Sequence, residues 1–271
     1  MINKIINNLS KPHLIPGKII NTIRFNKFKK KYNTKTYEND QNIKFDQLDL
    51  DREKGIFNLN QLKKQNPVLN RAMSSEHETL FSSISLLKKD EVLNILEIGT
   101  HDGVNSYLLS LLFKNSKIKT IDLENKDYDF QNSYNREKNF LNFITERDKI
   151  INKNENIFFK EQNSLSLINS KEKYDLIWVD GSHGYPTACI DIINSLKLIN
   201  NNGLILCDDV YIEKPKSQDK TYRSIATFET ISALEKEKLI NYHLIYKRLD
   251  PLNNCDPKKR KFIAVLNKNF I

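Results

Sequence analysis

Apolar segments of strand length alternate with segments of helical periodicity over most of this sequence, and this alternation limits the folds that the chain can adopt. It predicts strands at residues 92–97, 118–122, 157–159, 174–180 and 203–208. Because these strands are apolar almost throughout, both of their faces are buried, as in a parallel sheet that is covered by helices on both sides. The sequence therefore predicts a doubly wound α/β fold.

The C-terminal part of the chain departs from this alternation. Helices are predicted at 187–199 and 222–240, but the strands predicted at 242–249 and 261–266 have no convincing helix between them. Parallel strands need a crossover connection, usually a helix, whereas antiparallel strands do not. We therefore expect an antiparallel addition at one edge of the sheet. The basic run at 258–261 is interpreted as charge that protects an edge strand.

Acidic residues stand at the ends of four predicted strands. In open α/β sheets, ligands bind beyond the carboxyl ends of the strands, where the strand order reverses. A single acidic residue after a strand is ordinary turn chemistry, but several at one edge indicate a binding site. The residues concerned are Glu97, Asp122, Asp180, Asp208 and Asp209.

The turn after the first strand distinguishes between cofactors. A dinucleotide fingerprint has the spacing G-x-G-x-x-G, and its second glycine lets the backbone approach a pyrophosphate. Here the spacing is Gly99-x-x-x-Gly103, and His101 stands where that second glycine would be. The turn therefore favours an adenosine ligand without phosphates, with Asp122 accepting hydrogen bonds from the ribose hydroxyls.

These motifs resemble the class I S-adenosylmethionine-dependent methyltransferases over residues 75–266. The resemblance implies a Rossmann-like fold with a seven-stranded, mostly parallel sheet whose last strand is antiparallel. It also implies that Asp122 holds the ribose and that Asn163 and Ser164 lie near the adenine, where the family often has an acid. The full set implied to bind the cofactor is Glu97, Gly99, Thr100, Gly103, Asp122, Asn163, Ser164 and Asp180.

Asp180-Gly181-Ser182-His183, followed by Asp208-Asp209, is similar to the metal-dependent sugar O-methyltransferases of the macrocin and mycinamicin type. This resemblance implies that Asp180, Asp208 and Asp209 bind Mg²⁺ or a similar divalent cation and that His183 is the catalytic base. Carboxylates at the ends of adjacent strands can share one hard cation. Two structural alternatives stay open, namely His183 as a hydrogen-bonded turn residue and Asp209 as a cap.

The formal charge of +9 comes from an N-terminal segment. Residues 1–37 contain nine basic residues and no acid, whereas acids and bases balance from residue 38 onward. The segment is interpreted as a basic amphipathic arm on an anionic membrane surface, as a nucleic-acid arm, or as a disordered or packing segment. The chain is divided into the arm (1–37), an irregular or helical segment (38–74) and a methyltransferase domain (75–271).

The function predicted is an S-adenosylmethionine-dependent, metal-assisted O-methyltransferase that acts on a sugar hydroxyl of a glycan or surface polysaccharide. Alternatives are an RNA or small-phenol methyltransferase and a non-catalytic homologue that only binds the cofactor. Nucleic acid is not expected as a partner because the body is neutral, and the oligomeric state, including a homo-oligomer, stays open. The sequence contains no apolar run of about 20 residues, no signal-peptide pattern and only three distant cysteines. We therefore expect a cytoplasmic protein, with the arm attaching it peripherally to the inner membrane surface.

Overall fold

The computed structural model describes residues 22, 25–70, 75–215 and 223–269, and its centre is a seven-stranded sheet. The strand order is β3-β2-β1-β4-β5-β7-β6. The strands are β1 (Asn94–Ile98), β2 (Lys117–Asp122), β3 (Ile157–Glu161), β4 (Tyr174–Val179), β5 (Ile199–Val210), β6 (Ile240–Tyr246) and β7 (Phe262–Lys268). The order reverses between β1 and β4, which is where a ligand is expected in a sheet of this kind.

The last strand, β7, runs antiparallel to both of its neighbours, β5 and β6. The other strands, including β6, therefore point the same way, and the predicted Rossmann-like sheet with an antiparallel last strand is confirmed. Because β7 is inserted between β5 and β6, it is an interior strand. The interpretation of the basic run at 258–261 as protection for an edge strand is therefore wrong, since the edge strand is β6.

Helices cover the sheet and precede it. They are α1 (Thr34–Asp46), α2 (Arg52–Gln65), α3 (Glu76–Leu87), α4 (Val104–Leu112), α5 (Tyr128–Asn132), α6 (Phe140–Ile151), α7 (Thr187–Leu198), α8 (Ala226–Lys236) and α9 (Pro251–Asn254). The segment 38–74 thus contains most of α1 and all of α2. Residues 25–31 are also helical, but the amphipathic pattern at Ile15, Ile19 and Ile23 lies outside the described residues.

Two predicted boundaries differ from the observed ones for local reasons. β5 begins at Ile199 and not at Gly203, because Ile199 pairs with Tyr174 ahead of an irregularity in the register. α8 ends at Lys236 because Lys238 adopts a left-handed conformation with φ of 59°. That conformation closes the helix with a hydrogen bond from Leu239 N–H to the Leu234 carbonyl.

The alternating side chains of the strands build an apolar layer on each face of the sheet. One face buries Ile95, Leu176, Trp178, Leu206 and Val265 against the N-terminal helices and α4. The opposite face buries Leu96, Ile98, Ile177, Ile205 and Cys207 against α7 and α8. Burial on both faces explains why the central parts of β1, β4 and β5 are mostly apolar. Within the described ranges, no helix combines the length and the apolar character needed to cross a bilayer.

The N-terminal helices are tied to the exposed edge of β6. The Gln41 side chain of α1 accepts a hydrogen bond from Tyr246 N–H (2.9 Å) and donates one to the Tyr246 carbonyl (3.0 Å). It therefore pairs with the edge of β6 as a further strand would. In addition, Arg52 of α2 forms a bidentate ion pair with Glu76, the first residue of α3. Gln41 thus fixes α1 to the sheet, and the Arg52–Glu76 pair fixes α2 to α3.

We expect Gln41→Ala to destabilise the fold, because it leaves the Tyr246 N–H and carbonyl without their partner. An unpaired buried polar group costs about 1–3 kcal/mol, so the free energy of unfolding should fall by at least that amount in urea denaturation. Gln47→Ala is the matched control, since Gln47 is an exposed glutamine just after the same helix. Equal unfolding free energies for the two variants would contradict the role of Gln41.

Candidate active site

The loop after β1 is held in a conformation that requires glycine. Gly99 has φ of 102°, and a Cβ atom there would lie 2.3 Å from the Asp180 carbonyl oxygen. Gly103 has φ of 77° at the start of α4, and a Cβ atom there would lie 2.8 Å from Ile151 Cγ1. The loops after β1 and β4 therefore approach each other more closely than side chains would allow. Gly99 is thus required by the loop after β4 and Gly103 by the approach of α6, and these two separate contacts explain the two glycines.

Glu97 is fully buried at the end of β1 and is bound by protein donors. Its carboxylate accepts hydrogen bonds from Asn105 Nδ2 (2.7 Å), Thr120 Oγ1 (2.6 Å) and Ser106 Oγ. The Thr100 hydroxyl lies 2.6 Å from that of Thr120 and joins the network. Burial raises the pKa of Glu97 to about 7, although the three donors act against this shift. Glu97 and Thr100 thus shape the loop from within the protein.

Asp122, at the end of β2, links its strand to the loop. Its Oδ2 accepts the His101 N–H (2.8 Å) and its Oδ1 accepts the Leu123 N–H (2.8 Å). A carboxylate has about four lone-pair sites, so Asp122 keeps acceptor capacity for further donors such as ribose hydroxyls. His101 is held with φ of 51°, and its ring packs against Tyr134 and Phe143. His101 therefore contributes an aromatic contact beside the loop.

Asn163 and Ser164 lie after β3, at the start of a 3₁₀ turn over Ser164–Asn169. Asn163 Oδ1 accepts the Leu165 N–H (2.9 Å) and so caps the turn. The Ser164 carbonyl accepts a hydrogen bond from Asn194 of α7 (3.2 Å). These contacts give both residues a structural function at the carboxyl edge, where their contact with adenine stays a prediction.

The ends of β4 and β5 bring together the four residues to which the sequence assigns chemistry. His183 Nε2 lies 3.8 Å from Asp180 Oδ1 and 3.8 Å from Asp209 Oδ2. Asp208 is buried beside them, and its Oδ1 has no hydrogen-bond partner among the described residues. The strand register shifts between Cys207 and Val210, and Asp209 there has φ of 53°. Such bulges redirect side chains, which explains how two consecutive aspartates reach one cluster.

His183 is only 5% exposed. This burial lowers the pKa of its imidazole, and the nearby Asp209 and Asp208 carboxylates oppose the shift. A lowered pKa keeps the imidazole neutral at neutral pH, which is the state that can accept a proton. Its ring lies within ion-pair distance of two carboxylates, and its assignment as base or as turn residue stays a prediction.

Two lysines that the sequence analysis missed complete the cluster. Lys247 directly follows β6, and its ammonium group donates to Asp208 Oδ2 and to Asp209 Oδ1. Lys261, which precedes β7, donates from Nζ to Asp209 Oδ2 (2.5 Å). Lys247 could have been placed from the sequence, because β6 is a parallel strand and its end therefore reaches the same edge of the sheet as the ends of β4 and β5. The expected antiparallel pair of strands did not place Lys247 at this edge.

The lysines determine the charge of the aspartates. Burial by itself would raise the pKa of Asp209, but Lys247, His183 and Lys261 together lower it well below its usual range. Burial likewise acts against the charged form of Lys247, but the three aspartates outweigh it and raise the pKa of that ammonium. In contrast, burial and the adjacent Asp208 raise the pKa of Asp180. Asp209 is therefore an anion paired with ammonium groups.

The divalent cation that the resemblance implies would need oxygen ligands from Asp180, Asp208 and Asp209. The parts of the chain that the structure describes contain no group of three or more His, Cys, Asp or Glu side chains arranged to hold a metal ion. The Lys247 ammonium lies between Asp208 and Asp209 and takes the oxygens that a metal would need. As they are arranged, these residues do not fit a divalent cation.

Residues 96–210 match a protein-family model described as "Methyltransferase domain". No curated protein matches the sequence. Among solved structures, a protein from Klebsiella pneumoniae provisionally assigned as an O-methyltransferase is 15% identical, with a TM-score of 0.52 over 78% of this chain and 90% of that chain. The N-methyltransferase NodS from Bradyrhizobium japonicum WM9 is 13% identical, with a TM-score of 0.50 over 72% of this chain and 96% of that chain.

The matched region runs from β1 to the end of β5 and contains every predicted site residue. The match covers less than half of the chain, and together with the strand order it supports the fold of an S-adenosylmethionine-dependent methyltransferase. The structural neighbours show the fold, and they include both an O- and an N-methyltransferase assignment. The fold therefore does not decide which atom receives the methyl group, and that question depends on the site.

We expect Asp122→Ala to weaken S-adenosylmethionine binding, because it removes the acceptor for ribose and the anchor of His101 N–H. A hydrogen bond to a charged group contributes about 1.5–3 kcal/mol, and a factor of ten in Kd corresponds to about 1.4 kcal/mol. Calorimetry should therefore show a Kd about 10- to 100-fold higher. Asp127→Ala, which removes an equal charge from the N-cap of α5, should bind as the wild type does. Equal affinity in both variants would exclude Asp122 from the cofactor site.

Proposed function

We propose that this chain transfers the methyl group of S-adenosylmethionine to a hydroxyl group and that His183 is the general base. The observation that carries the proposal is the buried imidazole, 3.8 Å from the carboxylates of both Asp180 and Asp209, directly after β4. A hydroxyl group keeps its proton at neutral pH, so its oxygen needs a base in order to become a strong nucleophile. A buried, neutral imidazole meets this need.

The residues around the β1 loop fit the methyl donor. Asp122 presents acceptors for ribose hydroxyls, and Asn105 Oδ1 is a buried acceptor with no partner among the described residues, suited to the donor's ammonium group. S-Adenosylmethionine supplies an electrophilic methyl group on a sulfonium. Because this group is reactive without further activation, the protein contributes mainly by orienting the acceptor oxygen and removing its proton.

His183 takes the hydroxyl proton as the acceptor oxygen forms its bond to the methyl carbon. The carbon–sulfur bond breaks, and the products are a methyl ether, S-adenosylhomocysteine and an imidazolium. Asp209, which its lysine partners keep ionised, stabilises this imidazolium from 3.8 Å. The imidazolium then returns its proton to water, which regenerates the base.

The positive charge beside the acceptor comes from Lys247 and Lys261 in this proposal. The resemblance to metal-dependent sugar enzymes implies Mg²⁺ at Asp180, Asp208 and Asp209, but ammonium groups are paired with two of these aspartates. No step is therefore assigned to a metal ion. The ammonium groups keep the aspartates together and limit the negative potential near the acceptor oxygen.

A sugar hydroxyl of a glycan or surface polysaccharide is the acceptor that we propose. The support is the order of the strand-end motifs, Asp180-Gly181-Ser182-His183 and then Asp208-Asp209, which resembles that of sugar O-methyltransferases. A cytoplasmic enzyme whose basic N-terminal arm binds the anionic inner membrane surface would reach lipid-linked sugars. Charge attraction of the arm to anionic lipid supports this placement.

We expect His183→Ala to lose methyl transfer while keeping the cofactor site. General-base catalysis contributes about 10²–10⁴-fold, so turnover with labelled S-adenosylmethionine should fall by at least 100-fold while the calorimetric Kd for the cofactor stays within twofold. The control is His243→Ala, which removes a partly buried histidine in β6. Retained turnover in His183→Ala would rule out the base assignment.

Chelation by EDTA tests whether Lys247 and Lys261, rather than a divalent cation, neutralise the aspartates. Lys247 and Lys261 are paired with Asp208 and Asp209. We therefore expect turnover to continue in EDTA, and we expect no heat of binding when the protein is titrated with MgCl₂. Removing one partner of a buried ion pair costs about 3–5 kcal/mol, so Lys247→Met should unfold at lower urea concentration than Lys261→Met, whose ammonium is more exposed. Loss of activity in EDTA, with recovery when Mg²⁺ is added, would contradict this expectation and support a metal site at the aspartates.

A further inference from the structure

The backbone at the end of β6 is bound at each of its polar groups. The Gln41 side chain accepts from the N–H of Tyr246 (2.9 Å) and donates to its carbonyl (3.0 Å). The Lys247 N–H donates to the Lys261 carbonyl (3.0 Å), and the Lys247 carbonyl accepts the Glu76 N–H (2.9 Å). The backbone of Lys247 is therefore fixed from two sides, by the residue before β7 and by the N-terminal helices.

Glu76 is held in turn by side chains of the first two helices. Its carboxylate accepts two hydrogen bonds from the Arg52 guanidinium of α2, from Nε (2.7 Å) and from Nη2 (3.0 Å). It accepts a third from Gln41 Nε2 of α1 (3.2 Å). The Arg52 and Glu76 side chains are only 9% and 15% exposed, and a bidentate pair of this kind fixes geometry as well as charge. The first residue of α3 is thus fixed, and with it the N–H that binds Lys247.

The Lys247 side chain needs this support because the two carboxylates that it bridges are buried. A lysine ammonium is a point charge at the end of a flexible stem of four carbons. Here it lies between Asp208 Oδ2 and Asp209 Oδ1, on residues that are 3% and 9% exposed. A displaced ammonium would leave both carboxylates without their shared partner, and Asp209 lies 3.8 Å from His183. The position of the Lys247 backbone therefore affects the charge that His183 faces.

We propose that Arg52 and Glu76 are positioning residues for the candidate active site. Arg52 holds Glu76, and the Glu76 N–H holds the backbone of Lys247 where its ammonium reaches both aspartates. The pair acts at a distance, because Arg52 belongs to α2 and its effect passes through Glu76 and Lys247. The inference rests on the proposed function only for the assignment of His183 as the base. The placement of Lys247 does not depend on which reaction is catalysed.

A second ion pair joins the same two helices and provides a matched control. Lys63 of α2 binds Glu78 of α3 (2.6 Å), and their side chains are 20% and 10% exposed. The Glu78 N–H donates to the Ser75 carbonyl (3.2 Å) and not to Lys247. Lys63→Met therefore removes a comparable ion pair between α2 and α3 without removing the support of Glu76. A pair that only attaches α2 to α3 would give the same result in either place.

The first test measures the chemical reactivity of Lys247 and needs neither an acceptor nor turnover. The full-length wild type, Arg52→Met and Lys63→Met are treated with formaldehyde and cyanoborohydride, and methylation of Lys247 is followed by mass spectrometry. An amine reacts only when it is released from its carboxylates. We expect Lys247 to react about tenfold faster in Arg52→Met, equivalent to about 1.4 kcal/mol, and at the wild-type rate in Lys63→Met. Equal rates in all three proteins, or equal increases in both variants, would overturn the proposal.

Global unfolding is the alternative cause of a faster reaction, since it would also expose Lys247. Urea denaturation of each protein is therefore measured, and labelling is carried out below its unfolding transition. Arg52→Lys is a second variant, which keeps a positive charge opposite Glu76 but loses the arginine fork. Lys247 should react in it at a rate between those of the wild type and Arg52→Met. If Arg52→Met does not fold, a wild-type rate in Arg52→Lys would contradict the proposal by itself.

The second test shows whether the base responds to the pair. The chain has five histidines, so the imidazole Hε1 signal of His183 in a proton NMR spectrum can be assigned by comparison with His183→Ala. At one fixed pH, this signal should move in the same direction in Arg52→Met and Lys247→Met and stay in place in Lys63→Met. An unchanged signal in Arg52→Met would exclude the positioning role. The proposed function fails separately, through retained turnover in His183→Ala, because neither readout measures methyl transfer.

Discussion

The candidate active site depends on one buried interaction, in which the Lys247 ammonium binds Asp208 and Asp209. Without it, carboxylates at the ends of adjacent strands would repel one another in a region from which water is largely excluded. The backbone of Lys247 is held in turn, because its carbonyl accepts the Glu76 N–H (2.9 Å) and Glu76 is paired with Arg52. The N-terminal helices thereby support the catalytic edge of the sheet. A change in α2 can reach the active site through this series of contacts.

Much of the fold could be predicted because parallel strands are recognisable from composition alone. Burial on both faces makes most of the strand residues apolar, and an acidic residue marks the carboxyl end, as at Asp122 and Asp180. The placement of β7 could not be obtained in this way, since nothing local distinguishes an edge strand from an interior one. Lys258 and Lys259 were assigned to edge protection for that reason. The contacts that decide the question join β7 to β5, whose residues lie 52 to 63 positions earlier in the chain.

In the candidate site, too, the sequence predicts residues from their own strand but does not predict their partners from other strands. The sequence identifies Glu97, but its partner Thr120 belongs to another strand, and only the fold shows that the carboxylate is bound internally. Similarly, the acids at 208 and 209 were identified, whereas the lysine between them was not. Sequence reasoning finds groups whose position follows from the end of their own strand. It misses partners that reach the same place from strands whose direction is not yet known.

Charge balance explains why ammonium groups suit a histidine base better than a divalent cation would here. Three carboxylates and two ammoniums leave one negative formal charge when all are ionised, so protonation of His183 brings the cluster to neutrality. If Asp180 keeps a proton, as its raised pKa favours, each total is one unit more positive. A divalent cation added to either state would make it two units more positive and would oppose formation of the imidazolium. The lysines therefore hold the aspartates together while the cluster stays neutral or negative before His183 takes up a proton, whereas a divalent cation would make it positive.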